Sequence, residues 1–430
     1  MSAAHAPVPD RPASRSARQA IIRNSIWLYG AEVTARTLTA LLVIVVARRL
    51  GPVETGKYLY VASLVAIAGS VSDFGTTQYF IRAAVHVPSS ARARLFWLVI
   101  GFRILLTICL AAFLGLYASL TADSETRALL LLAAASLPIS AVPGVIAAVF
   151  RADERMGFEA IGRVLVAGLT LMAGAALILQ GSGVVSLGVV GILAAMAGLV
   201  YFIAVARRSV HLGWPAAINL GELGGVARGA WPFFSVSILV VVYSRLDAII
   251  LQQLLGPKAV GEYGVTVRVM EVLFVVPGVL STTIFPAIAK ELGIRPEPVL
   301  RYGMRGVQVL LFLSFPIALA GTIVGPALFT LVFGHGFDAS GTAFRILVWT
   351  IMPVFASVVT SSIIAASRKP MVNTYLATGM VVISLVGNLI LVPRYGISGA
   401  AAVRLVTELS GFAGGGLYIA ARIVARGKAG

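Results

Sequence analysis

Leu50-Gly51-Pro52-Val53-Glu54-Thr55-Gly56-Lys57-Tyr58 is answered later in the chain by Leu255-Gly256-Pro257-Lys258-Ala259-Val260-Gly261-Glu262-Tyr263, with five identities at a single offset of 205 residues. Each copy follows one long apolar run and precedes another. A Gly-Pro pair interrupts a helix and glycine admits positive φ, so each copy reads as the same tight outer turn between two helices. The turns follow the first and the seventh run, so an even number of helices separates them and both halves enter the membrane in the same sense. The expected architecture is a parallel repeat about an axis along the membrane normal.

Working outward from these turns, apolar runs at 25–47, 58–81, 95–119, 128–150, 163–180, 184–206, 231–254, 262–288, 306–332, 345–366, 371–392 and 399–421 predict twelve transmembrane helices. Gly181-Ser182-Gly183 divides a stretch too long for one crossing and reads as a tight helical hairpin. Composition agrees: 59% of the residues are hydrophobic and 12% charged, about half the charge a soluble domain carries, and the mean hydropathy is +0.95. The fold class is therefore an all-α polytopic membrane protein of about twelve helices in two parallel six-helix bundles. Its expected parts are a disordered cytosolic N-terminus (1–20), a first bundle (21–206), a cytosolic, interfacial hinge (207–230), a second bundle (231–421) and a cytosolic tail (422–430).

The formal charge of +17 does not point to nucleic acid, because the cations sit in short loops between apolar runs rather than on one polar face. With the N-terminus inside, the inner segments hold 22 Lys and Arg and the outer loops 7. The positive-inside rule then places both termini in the cytosol, and the expected location is the cell inner membrane. Other chemistries lack their residues. His5, His86, His211 and His335 show no metal-ligand spacing, no P-loop occurs, and Cys109 has no partner for a disulfide. Gly334-His335-Gly336-Phe337 reads as a turn. A transporter without metal or bound cofactor is expected, not an enzyme.

Charges in the bilayer centre cost at least ~2.5–3.5 kcal/mol each on insertion scales, so each requires a reason. Glu32 and Arg36, Arg268 and Glu271, and Arg404 and Glu408 are spaced so that each pair shares a helix face and can self-neutralise. Arg103 and Asp73 have no sequence-local partner, and Asp73 and Arg268 lie near enough to helix ends to snorkel. Arg245 and Asp247 are two residues apart, about 200° around a helix, so they cannot screen one another. Cations lining a cavity suit an anionic, phosphate-bearing cargo, and acids there could bind a coupling proton or sodium ion. The candidate cavity residues are thus Arg245, Asp247, Arg36, Glu32, Arg268, Glu271, Arg404 and Glu408.

"NSIWLYGAEVTARTLTALLVIVVARRLGP" followed by "TGKYLYVASLVAIAGSVSDFG" resembles the amino-terminal region of bacterial polysaccharide (O-antigen type) flippases of the multidrug/oligosaccharidyl-lipid/polysaccharide exporter superfamily. "YSRLDAIILQQLLGPKAVGEYGVTVRVMEVLFVVPGVLSTTIFPAIAK" and "ILVPRYGISGAA" are similar to later parts of that family, and the likeness runs over residues 20–421. The resemblance implies alternating-access transfer of an undecaprenyl-pyrophosphate-linked oligosaccharide from the cytosolic to the periplasmic leaflet. Arg245 and Asp247 fall in the matched helix-seven motif; a polysaccharide polymerase and a chain-length regulator are the implied partners. Lipid II flippases usually have two further helices, drug/cation antiporters favour an acidic cavity, and a membrane glycan polymerase or ligase needs a substantial periplasmic loop. None of those patterns is found in this sequence.

Overall fold

A computed structural model describes residues 15–85, 87–121, 123–209, 220–274, 296–334, 336–366 and 371–427. Among these residues every regular element is helical. Nine stretches are long and apolar enough to cross a membrane, and two of them, Ile26–Ala84 and Met371–Ala421, are too long for a single crossing. At ~1.5 Å per residue such a helix would exceed the ~30 Å hydrocarbon core by far. Glycine breaks each one: Gly51 lies at φ 78° and ψ −177°, Gly396 at φ 58° and ψ −139°.

Twelve helices result among the described residues. They are α1 (15–50), α2 (52–73, resuming at Thr76–Ala84), α3 (Ser89–Ser119), α4 (Ser124–Ala152), α5 (Met156–Leu179) and α6 (Val185–Ser209). The second half holds α7 (Leu223–Leu255), α8 (Pro257–Leu273), α9 (Pro296–Phe333), α10 (Asp338–Leu347, a 3-10 turn, then Ile351–Ala366), α11 (371–395) and α12 (397–427). Side chains such as Phe312, Met172 and Leu417 stand exposed along the outer helix faces, as lipid contact requires.

The repeat read from the sequence is present in the backbone. Gly256, between α7 and α8, has φ 81° and ψ −175°, nearly the dihedrals of Gly51. The turn is a single residue in each copy rather than the ten residues (48–57) and seven residues (255–261) that the apolar runs leave, because the helices continue up to the glycine itself. Across the molecule the copies meet each other. A Cβ on Gly56 would strike the Pro257 carbonyl, and one on Gly261 would strike the Pro52 carbonyl. Three residues on, Gly264 packs against Leu59. Because 56 faces 261 and 59 faces 264, α2 and α8 run side by side in the same direction about the repeat axis. Arg48 closes the same end by donating to the Leu331 carbonyl at 2.6 Å.

Three further differences bear on the site. Helix α5 starts at Met156, ahead of the expected 163. Helix α2 is broken at Phe74 (φ 46°) and Gly75 (φ 69°). There, Gly75 lies against the α7 backbone at Ala230 and Phe234, where a Cβ would come within 2.7 Å of the Ala230 carbonyl. Finally, α6 and α7 reach into the expected hinge, ending at Ser209 and beginning at Leu223. Residues 210–219, like 275–288 of the expected eighth helix, lie outside the described residues.

Candidate functional site

Two residues along α7 is about 200°, and the structure uses both faces. Arg245 turns to the seam between the bundles, where its Nη1 lies 3.0 Å from Glu271 Oε1. Asp247 turns into the second bundle and is 2% exposed. Its carboxylate accepts from the Tyr263 hydroxyl at 2.9 Å and from Asn388 Nδ2 at 2.9 Å, and Arg404 Nη1 lies 3.6 Å away. Arg404 also lies 3.4 Å from Glu408 and stacks over the Tyr243 ring at 4.2 Å, while the Tyr243 hydroxyl donates to Glu408 at 2.7 Å. Three of the eight sequence candidates, Asp247, Arg404 and Glu408, thus form a separate cluster inside the second bundle.

The other five meet at the seam. Arg36 Nε donates to Glu32 at 2.6 Å, and Arg36 Nη1 crosses to the Glu271 carbonyl of α8 at 3.0 Å. Arg268 Nη1 reaches the other oxygen of Glu271 at 2.6 Å. The chain of charges continues into the first bundle: Arg163 bonds both Glu32 and, at 3.0 Å, Glu159, and Arg151 grips Glu159 with two bonds of 2.7 and 2.6 Å. Five arginines (Arg36, Arg151, Arg163, Arg245, Arg268) therefore share three carboxylates (Glu32, Glu159, Glu271). The surplus of positive charge is not closed off, since the side chains of Arg36 and Arg163 are 39% and 37% exposed. Arg245 keeps a buried Nε without a hydrogen-bond partner. A space of about 300 Å³ opens here, lined by Glu32, Arg36, Thr39, Arg163, Arg268 and Glu271.

A larger cavity of about 690 Å³ lies inside the first bundle, and all six of its helices contribute to the wall. Ala35, Thr39 and Arg163 line both spaces, so the cavity adjoins the seam. Arg103 and Asp73, partnerless in sequence, meet on this wall. Arg103 pairs with Asp73 and donates to Thr76 at 2.7 Å and to Thr77 at 2.6 Å, which fastens α3 across the break in α2.

These twelve helices in two bundles match known proteins in sequence and in fold. A profile described as "Polysaccharide biosynthesis protein" matches residues 21–291, more than half of the chain. The chain belongs to that family. A MatE profile matches residues 232–425 of this polysaccharide biosynthesis protein. A Shigella flexneri protein named for O-antigen transport is 24% identical over 408 residues, covering 89% of this chain and 93% of the relative. Among solved structures, the lipid II flippase MurJ in an inward closed conformation superposes with a TM-score of 0.77 at 12% identity, covering 94% of this chain and 87% of that one. An inward-facing multidrug resistance MATE transporter of the MOP superfamily gives 0.72 at 16% identity, covering 90% and 95%. The family member is thus a multi-pass membrane protein that shares the fold of these transporters.

Arg163, Glu159 and Arg151 are absent from the sequence-derived candidates because helix five was expected to begin at 163, which leaves all three in or beside a loop. The signal was available: Glu159 and Arg163 are spaced i,i+4, and a helix beginning at Met156 puts them on one face.

Proposed function

We propose that this protein moves an undecaprenyl-diphosphate-linked oligosaccharide from the cytosolic to the periplasmic leaflet of the inner membrane, for assembly of a surface polysaccharide. The observation that carries the reading is the seam, where five arginines share three glutamates next to a cavity. Surplus guanidinium charge in a low-dielectric setting favours a multiply charged anion, and the planar fork suits phosphate oxygens. Family membership and the O-antigen relative support the same cargo class. The loop cations support cytosolic termini, which puts the Gly51 and Gly256 turns at the periplasmic end. Alternation would then separate α2 from α8 at those turns. A drug/cation antiporter is disfavoured because its cargo would meet this surplus of like charge.

Reconstituted liposomes carrying a fluorescent undecaprenyl-diphosphate oligosaccharide test the reading. Arg245→Ala removes one charged donor, worth about 1.5–3 kcal/mol, so transfer should slow by roughly tenfold to a hundredfold at unchanged protein amount. Arg245→Lys should restore part of the rate, because it returns the charge but not the fork. Full transfer by Arg245→Ala, or transfer of lipid II in preference to the oligosaccharide lipid, would refute the proposed cargo.

A further inference from the structure

The two spaces carry the same balance of three arginines to two carboxylates but differ in the rest of their walls. The seam space sets Arg36, Arg163 and Arg268 against Glu32 and Glu271. In the 690 Å³ cavity Arg103 pairs with Asp73, while Arg151 and Arg163 share Glu159. The remaining polar wall is neutral hydroxyl: Ser136, Ser140 and Thr170 each donate to a carbonyl of their own helix. Such a hydroxyl oxygen keeps acceptor capacity toward the cavity. A volume of this size is in the range of about 300–1,000 Å³ that encloses drug-sized ligands, which a di- or trisaccharide matches in atom count. The space exists because wall positions are small. Gly69 on α2 and Gly191 on α6 both line it, and a Cβ added at either would meet nothing within 4 Å. Among the described residues, the space beside Asp247 in the second bundle is only about 30 Å³, and Tyr243, Tyr263, Asn388 and Arg404 crowd around that carboxylate.

We infer that the cavity inside the first bundle is the glycan subsite of the transporter, which takes the first sugars of the cargo while the seam arginines hold its diphosphate. This rests on the cargo proposed above. The shared wall at Ala35, Thr39 and Arg163 lets one ligand occupy both spaces, with Arg163 at the junction of diphosphate and sugar. Sugar hydroxyls donate and accept at once, so a wall of spare hydroxyl acceptors suits them, whereas the seam space, with Thr39 as its one hydroxyl, offers a diphosphate mainly guanidinium donors. The site is therefore expected to discriminate by the size of the first sugars.

Gly69→Leu and Gly191→Leu fill the cavity from two different helices, α2 and α6, without a clash at Cβ, and both replace a helical glycine with a better helix former, so both should fold. The probes are undecaprenyl diphosphate and undecaprenyl diphosphate bearing a trisaccharide, with binding measured on the full chain in lipid nanodiscs. Each variant should bind the trisaccharide lipid about tenfold more weakly than wild type and the sugar-free lipid within about twofold of it. Undiminished binding of the trisaccharide lipid by both variants would overturn the glycan subsite and leave the cargo reading standing, as would equal losses for both lipids. Failure of the wild-type protein to bind either lipid would overturn both.

Discussion

Gly56→Ala tests how the two bundles close on one another. The added Cβ would overlap the Pro257 carbonyl oxygen and sit 2.6 Å from its carbon and 2.9 Å from the Gly261 nitrogen. All three are backbone atoms, so no side chain can rotate away and α2 must separate from α8. Overpacking of this kind costs about 1–3 kcal/mol. Gly→Ala inside a helix otherwise stabilises by about 0.8–1.0 kcal/mol, so the two effects have opposite signs. If the glycine contact exists in only one transport state, the substitution lowers that state's population roughly 5–150-fold. Spin labels at Val53→Cys and Lys258→Cys, repeat-related and exposed, in a Cys109→Ser background would report the separation by pulsed electron resonance. A longer, broader distance distribution is expected. An unchanged distribution with a raised melting temperature would show that α2 and α8 do not meet through these glycines.

Asp247→Asn should lower thermal stability, because Arg404 loses a carboxylate and Tyr263 and Asn388 lose a charged acceptor; Glu408 remains, so about 1–3 kcal/mol is expected, read from thermal melts in detergent. Arg103→Leu leaves Asp73 without its guanidinium and frees the broken part of α2, so a larger loss of about 3–5 kcal/mol and faster amide exchange at 73–84 should follow. Reporter fusions after residue 153 or 222 should signal cytosol and a fusion after 121 periplasm; the reverse pattern would turn the molecule over in the membrane.

Local chemistry made much of this legible in sequence. Gly-Pro pairs at one offset gave the repeat because a helix break is a property of those two residues. The two-residue spacing of Arg245 and Asp247 gave opposite faces because helix geometry is fixed, and the structure sends them to different partners. What sequence could not give depends on contacts distant along the chain. Asp73 and Arg103 find each other only when α2 and α3 pack, and the break at Phe74 requires positive φ at a residue that rarely adopts it. Arg163 was hidden by a misplaced helix start, since Met156-Gly157-Phe158-Glu159 has no strong apolar period. The division of the eight candidates into a seam and a closed cluster also needed tertiary structure, because the partners of Arg245 and of Asp247 come from different helices, Glu271 from α8 and Arg404 from α12.

The central proposal is that the seam arginines hold a diphosphate. Native mass spectrometry of the purified protein, offered undecaprenyl diphosphate and uncharged undecaprenol in equal amounts, measures this most directly. The wild-type chain should retain the diphosphate lipid at least about tenfold better, and Arg245→Gln with Arg268→Gln should abolish that preference. Equal retention of the two lipids by wild type, or a preference that survives both substitutions, would contradict it.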